Sequence, residues 1–370
     1  MEKLFWKFYC LFFLLTLTSL AQPKSSFEPQ RTWVCMIGVL EWADANSFAS
    51  FEKKGRVDAK IIQFFQKQGV PSEQILYLKD QQATTKAIRA AMAPFLRQAK
   101  PNDVLFFYYC GHGYKNDAKK VCFASYQGAD WSAEEMVRTV NENFAGNTAF
   151  FTADCCNSGG LSQEVRKFPQ RNYVALNSVV PTNVSTGNWT FSNALLYGLK
   201  GETFVDTDQN GKITLGELAN YIDEEMAIVE GQKAAYFIPE SLRTWAISSN
   251  VPPKKDKRIG QRIQVDYDGT DWLGFVVDSD AGKKFNVRFY SYTNNETDWV
   301  ASSRLKPFVC PKSYPVGSSV EVYYDDDKKW YPAKVLKSYS CLHYIHYKDY
   351  GNEWDEWVAP SNIRTKKQTY

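Results

Sequence analysis

The first part of the chain alternates between short apolar runs and amphipathic stretches. The segments TWVCMIGVLEW (32–42), QILYLKD (74–80) and DVLFFYYC (103–110) predict strands. The last of these is apolar without alternation, which is typical of a strand covered on both faces of a sheet. Between the strands, GRVDAKIIQFFQKQG (55–69) and TTKAIRAAMAPFLRQA (84–99) have apolar residues at helical spacing, so we expect two helices.

The same alternation continues to about residue 250. The segments NTAFFTADCC (147–156) and NYVALNSV (172–179) predict two more strands, and SAEEMVRTVNENF (132–144) predicts a helix that begins with a capping box. Strands that alternate with helices predict an α/β domain over residues 30–250, with a three-layer, mostly parallel sheet flanked by helices. In such sheets, functional residues gather beyond the carboxyl ends of the strands.

The pattern changes after two prolines and a charge cluster in residues 251–258, which we interpret as a linker. Short alternating segments rich in Tyr and Trp follow, and they repeat, since 259–277 parallels 316–336. This repetition predicts two small all-β barrels, one over 259–308 and one over 314–366.

The N-terminus has the features of a secretory signal peptide. Lys3 and Lys7 precede an apolar stretch that ends in the small-x-small triplet SLA. We interpret residues 1–21 as a signal peptide that is cleaved after Ala21. The alternative is an uncleaved N-terminal anchor, for which the apolar run is short. The expected mature protein is secreted or periplasmic and has no membrane contact.

Charge and cysteine content exclude several classes of protein. The formal net charge of +3 gives no support for nucleic acid as a partner. The eight cysteines are too sparse for a disulfide-built scaffold and lack the spacing of a structural zinc site. With Cys10 in the signal peptide, an odd number remains, which predicts at least one free thiol. Cys310 and Cys341 flank the second barrel, and export would allow them to form a disulfide.

A histidine and two cysteines follow two of the predicted strands. His112 lies between two glycines in FFYYCGHG, and Cys155 and Cys156 lie in TADCCNSGG. At one edge of the sheet an imidazole can activate a thiol, and the N–H groups of Gly113 and Cys156 are candidates for an oxyanion hole. A turn that follows a buried strand is the simpler alternative. Because side chains alternate along a strand, only one cysteine can face His112, and the pattern does not choose between them.

The motifs YYCGHG and DCCNSGG, in this order on an α/β sheet, resemble those of caspase-fold cysteine peptidases, specifically the metacaspase-like or bacterial caspase-like branch. The resemblance covers about residues 30–250, and the Q-A-C-x-G signature of animal caspases is absent. It implies that Cys156 is the nucleophile and His112 the general base, without an organic cofactor. We therefore expect a secreted cysteine endopeptidase with a C-terminal binding module. The alternative is a catalytically inactive scaffold that binds partners through its barrels.

Two acidic residues indicate the substrate. Asp154 lies two residues before Cys156, on the same side of the strand, and Asp58 begins the first helix at the same sheet edge. Both positions match acidic residues that line the basic-residue pocket of metacaspases. The resemblance thus implies cleavage of a peptide or protein substrate after Arg or Lys. The alternatives are a favourable helix-terminal charge for Asp58 and a strand-end turn for Asp154.

The segment DTDQNGKITLGE (206–217) has the spacing of an EF-hand-type calcium loop. The expected cofactor is therefore Ca²⁺. Its predicted ligands are Asp206, Asp208, Asn210, the carbonyl of Lys212, and Glu217. The alternative is a polar turn that caps the helix beginning in LGELANYIDEEM.

The tandem barrels resemble Tudor or SH3-like modules, through WDEWV (354–358) and HYKDYG (346–351) in the second repeat. Domains of this group bind methylated cations or peptides in an aromatic cage. The cage candidates in the second barrel are Tyr324, Trp330, Tyr347 and Tyr350. The first barrel offers Tyr267, Trp272 and Tyr290. An ordinary aromatic core is the alternative, and the sequence does not identify the ligand of the barrels.

Overall fold

The structure, a computed structural model, describes residues 24–267, 269–290, 296–324 and 327–365. The predicted signal peptide lies outside these residues. The described chain forms an α/β unit followed by two five-stranded antiparallel barrels. Among the described residues, none of the helices is long and apolar enough to cross a membrane.

The α/β unit contains the predicted strands and helices together with several short elements that the sequence pattern did not predict. Its strands are β1 (Lys24–Ser25), β2 (Thr32–Gly38), β3 (Ile75–Lys79), β4 (Val104–Cys110), β5 (Gly113–Lys115), β6 (Val121–Phe123), β7 (Thr148–Asp154), β8 (Asn172–Asn177), β9 (Lys212–Thr214), β10 (Ala235–Phe237) and β11 (Ala246–Ser249). Its helices are α1 (Val57–Lys67), α2 (Thr85–Leu96), α3 (Ala133–Asn143), α4 (Gly160–Val165), α5 (Thr190–Lys200) and α6 (Leu215–Glu225).

The main sheet has six strands in the order β10-β8-β7-β4-β2-β3. All neighbouring strands are parallel except the edge pair β10 and β8. Helices α1, α5 and α6 pack on one face, and α2 and α3 pack on the other. Because both faces are covered, β2 is buried along its whole length, which explains its lack of alternation. The predicted three-layer, mostly parallel fold is confirmed.

The two barrels have the same topology, which confirms the predicted small all-β modules. The first contains β12 (Arg262–Tyr267), β13 (Thr270–Asp280), β14 (Lys284–Phe289), β15 (Thr297–Ala301) and β16 (Leu305–Pro307). The second contains β17 (Ser319–Tyr324), β18 (Lys329–Tyr339), β19 (Leu342–Tyr347), β20 (Glu356–Val358) and β21 (Ile363–Thr365). The strand orders, β15-β14-β13-β12-β16 and β20-β19-β18-β17-β21, are equivalent. A disulfide joins Cys310 to Cys341, with 5.5 Å between their Cα atoms.

The first barrel packs against the α/β unit through a buried ion-pair cluster. Glu225, at the end of α6, accepts hydrogen bonds from Arg288 at 2.9 Å, from Arg262 at 2.9 Å and from the Tyr290 hydroxyl at 2.7 Å. The side chains of Glu225 and Arg288 are both buried. The guanidinium of Arg288 also lies 4.8 Å from the ring centre of Tyr197 on α5. These contacts fix the barrel on the two helices.

The second barrel contacts the α/β unit beside the sheet edge that follows β7 and β8. The side-chain amide of Asn183 donates to the carbonyl of Trp357 at 3.2 Å. The ammonium of Lys233 lies 4.3 Å from the ring centre of Tyr339. A side chain at Gly231 would meet Ala359, because a Cβ atom there would lie 2.9 Å from the Cβ of Ala359. The loops around residues 183 and 231 are thus packed against the second barrel.

Candidate active site

The sheet brings the two predicted catalytic loops into contact. Cys110 at the end of β4 pairs with Asp154 at the end of β7, so His112 and Cys156 each lie two residues beyond paired positions. An added Cβ at Gly113 would lie only 1.9 Å from the carbonyl oxygen of Cys156. Only glycine fits at this position, because the backbones of the two loops touch there.

His112 is held by the segment that follows β2. Its Nε2 lies 2.8 Å from the carbonyl oxygen of Ala49. Since a carbonyl can only accept a hydrogen bond, Nε2 carries a proton, so Nδ1 is the ring nitrogen that can act as a base. The rings of Trp42 and Phe51 lie 4.5 Å from the imidazole centre, and that of Phe48 lies 5.3 Å away. The sequence did not predict these three aromatic neighbours of His112, because the segment 42–51 has no periodic pattern of apolar residues.

Cys156 is half-buried beside the loop that follows β8. Its Sγ accepts the N–H of Ser185 at 3.1 Å and lies 3.6 Å from the Ser185 carbonyl. Burial raises the pKa of the thiol, and the N–H of Ser185 offsets part of that increase. The thiol is therefore mostly protonated and needs a base. The structure brings the two catalytic loops together, with the Cys156 thiol bonded to Ser185 and the His112 ring bonded to Ala49.

The neighbouring cysteine has a different environment. Cys155 is 3% exposed and packs in the hydrophobic core beneath α2 and α3. Burial raises the pKa of its thiol well above the usual value. Cys110 is buried as well, in the core on the other face of the sheet. Of these three thiols, Cys156 is the accessible one, so the geometry favours it as the nucleophile.

The backbone around Gly113 leaves an N–H available for an oxyanion. The N–H of Ala124 donates to the carbonyl of His112 at 2.9 Å, and Gly113 lies opposite Phe123 in the β5–β6 pair. Hydrogen-bonded positions alternate along an antiparallel ladder, so the N–H of Gly113 turns away from β6. This N–H is one of the two that were predicted from the sequence as candidates for an oxyanion hole.

A cavity of about 430 Å³ opens beside the catalytic loops and is lined in part by Gly111 and Asp154. Asp154 is 8% exposed, and Ser192 on α5 donates to its carboxylate at 2.5 Å. Burial raises the pKa of Asp154 to about 7, although the bond from Ser192 opposes this shift. Glu230 also lines the cavity and is half-buried, whereas Glu52, Lys54 and Lys60 line it at solvent-exposed positions. The sheltered part of the cavity, beside Asp154 and Glu230, is therefore suited to a cationic side chain.

Asp58 does not line this cavity, contrary to the pocket prediction. Its carboxylate is fully buried and accepts two bonds from Arg56, at 2.8 and 2.7 Å. The hydroxyl of Tyr77 donates to it at 2.7 Å. Arg56, two residues earlier in the chain, therefore neutralises Asp58 within the protein. Glu230 was not predicted, because it lies far along the chain in no recognisable motif.

The predicted calcium loop brings three carboxylates together. One oxygen from each of Asp206, Asp208 and Glu217 lies within 4.8 Å of the others. Asp206 is 2% exposed, and its Oδ1 has no hydrogen-bond partner among the described residues. Burial raises the pKa of Asp206, and the charges of Glu217 and Asp208 raise it further. An unpartnered buried carboxylate oxygen beside two other carboxylates fits a hard cation.

The remaining predicted ligands lie in the same loop but outside this carboxylate group. Asn210 donates to Asp208 at 2.8 Å and accepts the N–H of Lys212 at 2.9 Å. Glu217 also forms a capping box with Thr214 at the start of α6. The helix-capping alternative and the ligand role are thus compatible for Glu217.

The second barrel contains an aromatic pocket of about 140 Å³. It is lined by Tyr324, Asp327, Tyr331, Tyr347, Tyr350 and Trp354. Tyr350 and Trp354 are 45% and 49% exposed, so part of the pocket wall faces solvent. The ring of Tyr331 is perpendicular to those of Tyr347 and Tyr350, with centres 6.2 and 5.8 Å apart. Perpendicular rings around a gap form an aromatic cage.

Trp330 is not part of this cage, which corrects the prediction. The pocket is lined instead by the adjacent Tyr331, since neighbouring residues on β18 point to opposite faces. The guanidinium of Arg364 lies 4.1 Å from the ring centre of Trp330. In the first barrel, Arg304 lies 4.0 Å from the ring centre of Tyr267, and Tyr290 is bonded to Glu225. Of the aromatic residues predicted in the first barrel, Tyr267 thus makes a contact within the barrel and Tyr290 makes a contact with the α/β unit.

Two stretches of the sequence match models of known families. Residues 57–163 match the model of the metacaspase peptidase C14 domain, and this stretch contains both His112 and Cys156. Residues 317–368 match the model of the Agenet domain, which covers most of the second barrel. A search of the curated proteins finds no match to this chain.

Several solved structures are also similar. A protein from Geobacter sulfurreducens is 11% identical, and the match covers 58% of this chain and 97% of that one, with a TM-score of 0.43. Caspase-1 from Spodoptera frugiperda is 13% identical, with coverage of 62% and 93% and a TM-score of 0.40. The AGD34 segment of AGDP1 from Arabidopsis thaliana is 15% identical, with coverage of 29% and 81% and a TM-score of 0.14.

The sheet, the paired catalytic loops and the family models together define a class of protein. Over residues 57–163 the α/β unit is similar to the metacaspase peptidase C14 domain, and this match supports the activity of a cysteine-type endopeptidase. The second barrel matches the Agenet model, which is Tudor-like, and the first barrel has the same strand order. The predicted family resemblance is confirmed for both parts. The peptidase domain implies peptide or protein substrates, and the Agenet module implies binding of proteins or peptides.

Proposed function

We propose that this protein is a secreted endopeptidase that cleaves after Arg or Lys with Cys156 as nucleophile and His112 as general base. The observation that supports it most directly is the contact of Gly113 with the Cys156 carbonyl, which sets the two catalytic loops side by side. The acidic cavity next to these loops supports the preference for a basic side chain. The disulfide between Cys310 and Cys341 is consistent with export.

The proposed reaction uses the groups in these loops. The Cys156 thiol leaves its contact with Ser185 and gives its proton to Nδ1 of His112, and the thiolate attacks the substrate carbonyl. The N–H groups of Gly113 and Cys156 hold the oxyanion. The imidazolium then protonates the leaving amine as the C–N bond breaks, which leaves a thioester on Cys156. Water, deprotonated by His112, hydrolyses that thioester and regenerates the thiol.

Peptide cleavage by active-site variants tests this proposal. We expect Cys156→Ala and His112→Ala each to lose at least roughly a thousandfold in kcat/KM on a fluorogenic Arg peptide, because nucleophile and base act as a unit. Cys155→Ala is the matched control and should retain most activity, since its thiol is in the core. Full activity in Cys156→Ala, or a preference for Asp over Arg in the wild type, would refute the proposal.

We also propose that the loop 206–217 binds Ca²⁺ through Asp206, Asp208 and Glu217, supported by Asn210 and the carbonyl of Lys212. The unpartnered oxygen of Asp206 is the supporting observation. When bound, the ion would neutralise the carboxylates and stabilise the start of α6.

The second barrel is proposed to bind a cationic side chain of a protein or peptide, with Tyr324, Tyr331, Tyr347, Tyr350 and Trp354 around the cation and Asp327 beside it. The aromatic faces and the nearby carboxylate support a cationic ligand over a neutral one.

A further inference from the structure

We propose that Glu230 is a specificity-determining residue of the peptidase cleft, and that it forms with Asp154 the pair of carboxylates that binds the basic side chain before the scissile bond. The inference rests on the proposed function and assigns to Glu230 the part that the sequence had suggested for Asp58. The ligand is a guanidinium or ammonium group on a flexible stem.

The backbone after α6 places Glu230 at the cavity. Met226–Glu230 form a five-residue π-helical turn that continues α6, and Gly231 ends it with φ at +66°. Glu230 lines the same cavity as Asp154. The second barrel packs directly behind this turn, where Gly231 approaches Ala359. The turn that carries Glu230 is therefore held against the second barrel at Gly231, and the Glu230 carboxylate is held by hydrogen bonds from the loop 186–190.

The charges of the cavity favour a cation near these two residues. Two lysines line the cavity, Lys54 and Lys60, but both are exposed to solvent and so are strongly screened. Asp154 is buried and Glu230 is half-buried. Burial is the main cause of the high pKa of Asp154, and the negative charge of Glu230 raises it further, so the two groups interact. A cation between them would relieve this repulsion.

Asp58 is unsuited to this part because its charge is already compensated. Arg56 binds it in a bidentate manner and Tyr77 donates to it, within a site that is closed to solvent. A substrate cation would have to displace Arg56 from Asp58. Breaking a buried ion pair in this way costs free energy. Glu230, in contrast, accepts from the neutral groups of Thr186, Asn188 and Thr190, so its charge is not compensated by them.

These three neutral donors also suggest a purely structural role, in which Glu230 only fastens the loop 186–190. The Glu230→Gln variant distinguishes the two roles, because glutamine keeps the size of the side chain and one carbonyl acceptor but loses the charge. Glu52→Gln is the matched control, since Glu52 lines the same cavity but is exposed. Equal melting temperatures for wild type and Glu230→Gln would show that the loop is intact.

The first measurement is binding of agmatine, a small guanidinium ligand, to the full chain carrying Cys156→Ala, by calorimetry. We expect Glu230→Gln to raise the Kd about tenfold and Glu52→Gln to change it less than about twofold, since a charge-assisted bond is worth roughly one factor of ten. The inference is overturned if agmatine does not bind, or if Glu230→Gln binds it as well as Glu52→Gln does.

The second measurement compares cleavage after Arg and after citrulline, its neutral analogue. The ratio of kcat/KM for these two substrates should fall about tenfold in Glu230→Gln and should not change in Glu52→Gln. Agmatine binding without any cleavage by the wild type would refute the proposed peptidase function and leave the cation site established. Cleavage after Arg with an unchanged Arg-to-citrulline ratio in Glu230→Gln would overturn the role of Glu230 alone.

Discussion

At the scale of single residues, a backbone carbonyl determines which ring nitrogen of His112 carries the proton. Ala49 accepts from Nε2 of His112 and so leaves Nδ1 as the basic atom, a part that a side-chain carboxylate plays in many other sites. A side-chain motif cannot reveal this, because any residue has a carbonyl. The proximity of the loops that contain His112 and Cys156 was predictable because both loops follow apolar strands, which end at the same edge of the sheet. Asp58 was misassigned because the pattern did not show its pairing with Arg56.

Asp154 should make stability depend on pH. Its folded pKa of about 7 exceeds the ordinary 3.8 because burial disfavours the charge, so the folded state holds its proton more tightly. The stability associated with the protonated group is fully present below pH 3.8 and is lost as the pH rises to about 7. At 1.36 kcal/mol per pKa unit the loss is a few kcal/mol.

We therefore expect Asp154→Asn to raise the melting temperature above wild type at pH 8, and to raise it much less at pH 4. Thermal unfolding followed by circular dichroism at both values measures this. Asp44→Asn, which removes an exposed carboxylate, is the control and should not have this pH profile. A stabilisation of equal size at pH 4 and pH 8 would contradict the assigned shift.

At the scale of elements, the hydrophobic pattern predicted the longer strands and helices correctly but did not predict the shortest strands. The central strands β2, β4 and β7 have seven residues each and are mostly apolar. Helix α3 has a capping serine, Ser132, whose hydroxyl accepts the N–H of Glu135. The strand pairs β5–β6 and β9–β11 have three or four residues per strand and depend on tertiary contacts, so no local pattern predicts them. The prediction placed Trp330 in the cage, where the structure has Tyr331. An error of one residue along a strand puts the predicted side chain on the opposite face of the sheet.

The loop before α6 should respond to calcium. At a Ca²⁺ concentration of one hundred times Kd, the native state gains about 2.7 kcal/mol by mass action, so the melting temperature of the wild type should rise by several degrees. Asp206→Asn should abolish this rise and should melt higher than the wild type in chelator, because it removes one negative charge from a cluster of three carboxylates. Differential scanning calorimetry with Ca²⁺, Mg²⁺ or chelator measures both effects.

Asp44→Asn should retain the full calcium response, since Asp44 lies outside the loop. If the melting temperature is the same in chelator and in millimolar Ca²⁺, the loop does not bind the ion. If Ca²⁺ raises the melting temperature equally in wild type and Asp206→Asn, the ion binds elsewhere in the protein.

At the scale of the whole molecule, the barrels are fastened to the peptidase domain by different chemistry. The first barrel is joined through Glu225 and its buried cations, and the second through Asn183, Lys233 and the close approach at Gly231. The sequence predicted the barrels as separate modules, because repeats and linkers are local signals. It did not predict their docking, since pairs such as Glu225 and Arg288 are distant in sequence and common in composition.

Arg288→Ala should destabilise the joined molecule by about 3–5 kcal/mol, because it leaves part of the buried charge of Glu225 uncompensated. Urea unfolding followed by tryptophan fluorescence measures the change. Lys255→Ala removes one member of an exposed ion pair with Asp278 and should cost less than about 1 kcal/mol. Similar losses in both variants would show that the buried cluster adds no more than a surface pair.

The length of β18 has a consequence for how the two halves of the molecule work together. Tyr331, in the cage, and Tyr339, in the contact with Lys233, are eight residues apart on this strand, which is roughly 26 Å at 3.3 Å per residue. The cage therefore lies on the part of β18 that is away from the contact with Lys233, and that contact does not cover it. A polypeptide held in the cage would be tethered to the molecule that carries Cys156, so its cleavage would become effectively intramolecular, at an effective concentration set by the length of chain between the two points.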